Sequence, residues 1–219
     1  MPIQSHSQYG GRRSQWEIAR QRTRFMIQVT MLCAIQVVMM VVPFLGFIPL
    51  GPINATTLHL PVVVAGTVLG VKGGAIVGLC FGLISFLRHS FIAPGPLSFL
   101  FTPLAPGGNI FSLVIAIVPR VLLGVFAALI FKGLKGRNFR FAPAGLAGLL
   151  ATLLHTVMVL GGIYLFFGPA YAEAQGISMA TVIPFLMGIV ATNGIAEALI
   201  AMMVNAVLAR VLIPMFQKR

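Results

Sequence analysis

Hydrophobic residues in this chain come in long unbroken runs separated by shorter basic or Pro/Gly-rich connections, with no period-two alternation that would mark strands. The runs predict spans over Phe25 to Val42, 110–131, 142–167 and 181–212, each near or above the ~20 apolar residues that cross a ~30 Å hydrocarbon core. The stretch His59 to Gly82, HLPVVVAGTVLGVKGGAIVGLCFG, is built differently. From Leu60 to Val71 a helix would be roughly 18 Å long before Lys72 and the Gly73-Gly74 pair break it. A helix that short stops inside the hydrocarbon depth if its lysine end sits at a membrane face. The preceding segment, Pro43 to Thr57, carries Phe44, Leu45, Phe47, Ile48 and Leu50 between three prolines, so it is expected to dip in and meet the helix. A second short helix then climbs back to about Phe86, with Gly74, Gly78 and Gly82 at four-residue spacing as a ridge for close backbone packing. The expected fold is an all-α integral membrane protein of six transmembrane helices with a re-entrant first outer loop.

Composition strengthens the membrane assignment: 58% of residues are hydrophobic, only 8% are charged, and mean hydropathy is +1.01. The net charge of +12 would suggest nucleic acid in a soluble chain. Here the basic residues cluster beside spans, where they meet anionic lipid, so no nucleic-acid partner is expected. Thirteen of the fifteen lie in the N-terminal tail (Arg12, Arg13, Arg20, Arg22, Arg24), at Lys72, in the link Lys132, Lys135, Arg137 and Arg140, or near the C-terminus (Arg210, Lys218, Arg219). By the positive-inside rule these segments are cytoplasmic and the Pro/Gly-rich connections face outward. The expected layout is a cytoplasmic tail over 1–24, one membrane domain over 25–213 and a short cytoplasmic tail over 214–219. The basic N-terminal stretch is too long for a signal peptide, so the first span is expected to be retained. Cys33 and Cys80 lie inside apolar runs and read as packing residues, not as a disulfide framework or a metal site.

Ionisable residues within spans are costly and therefore informative. Arg120 falls near the middle of the span over 110–131, with His155 and Asn193 at similar depth in the last two spans and Glu197 one turn beyond Asn193. Two readings of Arg120 stand side by side. It pairs with Glu197 to hold two helices together, or with Asn109 at the top of its span it supplies donors for an acidic or strongly polar solute, since a guanidinium matches a carboxylate bidentately. Arg88 and His89 sit at the outer end of the third span, either as ligand contacts or as snorkelling interfacial residues. Asn54, Thr56, Thr57 and His59 cluster where the dipped loop meets the short helix. That helix N-terminus would offer backbone N–H groups to an anion, and Thr56 or Thr57 alternatively serves as a simple cap. Candidate substrate-binding residues are thus Arg120, Asn109, Asn54, His59, Arg88, His155 and Asn193. No aspartate, HExxH, P-loop or paired-carboxylate pattern is present, and no metal or cofactor is expected. A small membrane enzyme acting on lipid, using His155 or His59 with Glu197, is the competing class.

At these residues the chain resembles the substrate-binding S-components of energy-coupling factor (ECF) vitamin transporters, over roughly Phe25 to Leu212. The resemblance rests on HLPVVVAGTVLGVKGGAIVGLCFG and PRVLLGVFAALI (Pro119 to Ile130); NATTLHLPV, PLSFLFTP and VPRVLLG look most like the pantothenate-specific members. It implies a non-catalytic subunit of the bacterial plasma membrane that captures a water-soluble vitamin outside. The subunit would release it inside after docking on a transmembrane coupling subunit driven by two cytoplasmic ATPases. Pantothenate, an anion with hydroxyl and amide groups, suits Arg120; hydroxymethylpyrimidine, pyridoxine, riboflavin and folate are the alternatives. Family members often carry alanines at four-residue spacing on the first span for docking, whereas here the row reads Thr30, Ala34, Val38.

Overall fold

A computed structural model describes residues 6–42, 45–50, 53–134 and 142–217, with side chains over 15–42, 45–46, 56–134 and 142–215. Helix α1 (His6–Val41) is followed by a hairpin of β1 (Phe47–Leu50) and β2 (Ile53–Thr56), then α2 (Leu60–Leu87), α3 (Ile110–Leu134), α4 (Ala142–Gln175), α5 (Met179–Ile189) and α6 (Ile195–Gln217). Two π-helical segments extend this set: Arg88–Ile92 prolongs α2, and Val190–Gly194 joins α5 to α6. Among the described residues five helical rods are long and apolar enough to cross a membrane: Gln15–Val41, Leu60–Ile92, Ile110–Leu134, Ala142–Gln175 and Met179–Met215.

The Leu60–Leu87 rod is one helix only in name. Gly70 has φ 79° and ψ −169°, outside any helix and in a region glycine alone adopts freely. In a straight helix Gly66 and Gly74 would stand ~12 Å apart. A Cβ on Gly74 would instead lie 2.9 Å from the Gly66 Cα, so the two halves fold back on each other. The sequence reading placed this break at Lys72-Gly73-Gly74. The reversal occurs two residues earlier because Gly70 supplies the positive φ, and Lys72 is left exposed just past it.

The glycine ridge packs as its spacing predicts. Cβ atoms on Gly74, Gly78 and Gly82 would fall 2.5, 2.3 and 2.9 Å from the carbonyl oxygens of Gly124, Arg120 and Ala116, a matching four-residue row on α3. Gly66 faces Gly124 as well, at 2.3 Å from its oxygen. Without side chains between them the backbones touch, which maximises dispersion contact where lipid offers no hydrophobic drive for helix association. On α1 the inward row is Phe25, Val29, Leu32, Cys33, Gln36, Met39 and Met40, at helical spacing against α2. Thr30, Ala34 and Val38 lie on the exposed face.

Other boundaries differ modestly from expectation. The segment between α1 and α2 is not wholly irregular, since Phe47 pairs with Thr56 and Leu50 with Ile53. Helix α4 runs to Gln175, past the expected end at Phe167, and carries Pro169 within its length. Helix α1 is continuous through residue 24, where the sequence had suggested a tail. The basic link over 135–141 lies outside the described residues, as do residues 218 and 219.

Candidate functional site

The glycine at 78 brings the backbone of Arg120 against α2, and the Arg120 side chain is 7% exposed. Its Nη1 donates to the carbonyl of Ile115 one turn back along α3. The guanidinium carbon stands 5.5 Å from the Phe81 ring centre and 5.1 Å from that of Phe101, so two aromatic faces share its charge. Nε has no partner. Of the chain's three carboxylates, Glu17 and Glu173 are exposed, and Glu197 is engaged elsewhere. Glu197 Oε1 accepts both the backbone N–H and the hydroxyl of Thr56 at 2.8 Å. The Arg120–Glu197 ion pair that the sequence allowed is therefore not made. The β2 edge reaches Glu197 first, and a buried guanidinium is left with no acid to balance it.

Two imidazoles join this cluster. His155, from α4, has its ring centre 6.4 Å from that of Phe81, and its enclosed Nε2 has no partner. His59 is 2% exposed, and neither of its nitrogens is hydrogen-bonded. His155 is close enough to interact electrostatically with both Arg120 and His59, and His59 with Glu197. The segment that presents His59 is tied down on both sides. Thr57 donates its hydroxyl to Leu45 O and its N–H to Gly46 O (3.0 Å), while Gln36 Nε2 donates to Leu58 O at 3.2 Å.

Not every predicted contact converges here. Neither threonine caps α2, because Thr56 is spent on Glu197 and Thr57 on Leu45. Nor is the N-terminus of α2 an open anion site: Leu60 N–H is bonded to Thr57 O, Val62 and Val63 N–H to His59 O, and Pro61 has none. Asn109 is exposed and caps α3 through Oδ1 on the Phe111 N–H at 2.8 Å, ~16 Å along the axis from Arg120. Asn193 is half-buried in the π-helical segment, which packs against β2 and α4. Single-turn π segments of this kind inside α-helices occur frequently at functional sites. The Asn54 side chain lies outside the described residues.

Arg88 is half-buried in the other π-helical segment, beside a second feature. His89 stacks on Phe101 at 4.7 Å and directs Nδ1 toward Ser98 Oγ at 3.4 Å. Both His89 and Ser98 line a cavity of about 370 Å³ whose walls include Pro96, Leu97 and Gln175. Phe101 thus touches both the cavity's His89 and the buried Arg120. Sequence reasoning had singled out neither Phe81 nor Phe101 for the site. Phe81 was findable, since it lies three residues from Gly78 on the face turned toward α3.

Chemically the cluster offers a fixed cation, aromatic walls and unpaired neutral donors and acceptors. Glu197 forms no hydrogen bond with His59 or His155, so the dyad an enzyme reading needs is missing among the described residues. No group of His, Cys, Asp and Glu among them could hold a metal ion.

Residues 24–209 match the family described as ECF transporter, substrate-specific component. A pantothenic acid transporter PanT from Lactococcus lactis subsp. cremoris is 37% identical over 160 residues, covering 70% of this chain and 75% of its own. A pantothenate transporter PanT from Leuconostoc mesenteroides subsp. mesenteroides is 29% identical over 208 residues, covering 92% and 98%.

Proposed function

Because the chain belongs to the family of ECF transporter substrate-specific components, we propose that it binds pantothenate, with the carboxylate on Arg120. It is a substrate-binding subunit of a transporter in the bacterial cell membrane and not a catalyst. The observation that carries the anion reading is the buried Arg120 guanidinium, flanked by Phe81 and Phe101 and without a carboxylate partner. A desolvated cation of this kind gains a charge-assisted, bidentate bond when a carboxylate arrives. His155, His59 and Asn193 line the rest of the ligand; Arg88 serves entry, and Asn109 and Asn54 belong to the rim.

The surrounding architecture is six crossings, with Leu60–Leu87 counted as two around Gly70, both termini cytoplasmic and the β1–β2 hairpin re-entrant. The fold-back at Gly70, the thirteen basic residues assigned inside and the bonds from Thr56 to Glu197, midway along the last rod, support it. Residues 25–213 form the membrane domain, between cytoplasmic segments 1–24 and 214–219. The exposed α1 row Thr30, Ala34 and Val38 meets the transmembrane coupling subunit, and two cytoplasmic ATPases supply the energy. Ala34→Trp is expected to abolish co-purification with that subunit while vitamin affinity stays within about threefold, because the bulk is added on the face away from α2. Loss of both properties together would assign the row to folding.

The substrate is tested by calorimetry of the purified chain against a panel of vitamins. Pantothenate is expected to bind at one site per chain and be recovered unchanged. Tighter binding of another vitamin, or turnover of a lipid, would sink the reading.

A further inference from the structure

His59 is out of keeping with its surroundings. The backbone on either side of it is bonded, and Thr56, Thr57 and Gln36 each spend a side-chain donor on fixing the segment. The imidazole thus held in place has two nitrogens without partners at 2% exposure. The carbonyls of Thr56 and Glu197 are near the ring but do not meet hydrogen-bond geometry. Buried polar atoms left unpaired are rare, and a well-positioned ring with both nitrogens free is ready for a ligand.

The arrangement also orders the groups. His155 interacts with both Arg120 and His59. Arg120 and His155 both face Phe81, the guanidinium carbon at 5.5 Å and the imidazole centre at 6.4 Å, whereas His59 follows by three residues the Thr56 that is bonded to Glu197. The cluster therefore runs from a cationic end at Arg120, past His155, to an end where His59 sits beside Glu197 and Thr56. A neutral imidazole carries one donor and one acceptor. A hydroxyl group is the complementary partner because it, too, offers both.

We infer that His59 reads the hydroxyl-bearing end of the ligand whose carboxylate Arg120 holds, and so sets specificity against acids that lack hydroxyls. Glu197 is the positioning residue, acting through its two bonds to Thr56 rather than on the ligand. The inference rests on the anion reading proposed above. Its physical basis is asymmetric: a site built to bond a hydroxyl strongly rejects an analogue without one, because its own polar atoms then stay unpaired.

The test compares pantothenate with N-(3,3-dimethylbutanoyl)-β-alanine, which keeps the carboxylate, the amide and the carbon skeleton of the acyl group but has no hydroxyl. In calorimetry on the full chain, wild type is expected to favour pantothenate by at least ~100-fold. His59→Phe preserves the ring shape and should cut that preference to within about threefold, by weakening pantothenate and leaving the analogue unchanged. His59→Gln, with one donor and one acceptor, should recover most of it. Independently of any variant, the chain has four histidines, and ¹⁵N-histidine spectra of the wild type should show the His59 nitrogens shifting with pantothenate but not with the analogue. A wild-type preference near one, a preference retained in His59→Phe, or His59 signals that respond equally to both ligands overturns the inference. Arg120→Ala should weaken both ligands alike; if it weakens neither, the carboxylate anchor fails, while the hydroxyl preference stands or falls on His59 alone.

Discussion

Arg120→Ala is expected to lower pantothenate affinity by roughly 30-fold to several thousand-fold, the equivalent of the ~2–5 kcal/mol lost when one partner of a desolvated, hydrogen-bonded charge pair is removed. The alanine variant should nevertheless fold. Among the described residues the guanidinium makes one hydrogen bond, to Ile115 O, and pairs with no carboxylate, so its removal takes away a desolvated charge and not a brace between helices. Arg120→Lys should recover only part of the affinity, since a lysine keeps the charge but loses the planar fork and its stacking on Phe81 and Phe101. Calorimetry paired with thermal unfolding checks both statements. Unchanged affinity in Arg120→Ala would return the arginine to a packing role. A collapse of unfolding temperature with it would mean that the Ile115 bond and the aromatic contacts hold the fold.

The largest effect on stability is expected at Gly124→Val. A single Cβ at this position would stand 2.1 Å from Gly74 O, and the same turn of α3 already receives Gly66 and Gly74 from the two arms of α2. Three backbones meet there with no room for a side chain, so the valine must push α2 off α3. Overpacking of this kind costs ~1–3 kcal/mol where neighbours yield and more where they are backbone. For a chain of this size the unfolding temperature should fall by roughly 5–10 °C. Ligand-induced stabilisation should fall with it, because Gly78 and Arg120 lie one turn away on the same pair of rows. Gly161→Ala, on α4 with nothing within 4 Å of its Cβ, is the control and should leave both properties unchanged. Equal behaviour of the two variants would remove the glycine row from the account of how Arg120 is positioned.

These two residues also mark how far the sequence could be read. The value of Gly74, Gly78 and Gly82 was legible because four-residue spacing puts them on one helix face, and in lipid a face of glycines has one main use. The isolation of Arg120 near mid-span was legible for a similar reason: an arginine there is costly enough to need a purpose. Which purpose was not legible. Glu197 lay at a suitable depth to pair with it, and whether that ion pair forms depended on whether another donor would claim the carboxylate. Thr56 does so, from a segment 141 residues away in sequence. Phe101 stayed unassigned for the same reason, since an aromatic in an irregular connection looks alike whether it faces lipid, core or a cation, whereas Phe81 could have been placed by its spacing from Gly78.

By itself, then, the sequence determined the membrane class, the lengths of the apolar runs, the shortness of the helix after His59 and the glycine row. These follow from periodicity, run length and the price of burying charge, all local along the chain. Only the tertiary structure decided that the chain reverses at Gly70 and not at Lys72, that Asn109 caps a helix, that Glu197 holds Thr56, and that Arg120 and His59 are left with unpaired atoms. Each of these depends on which polar group reaches a partner first once the helices are packed, and that competition is settled by distances between segments remote in sequence.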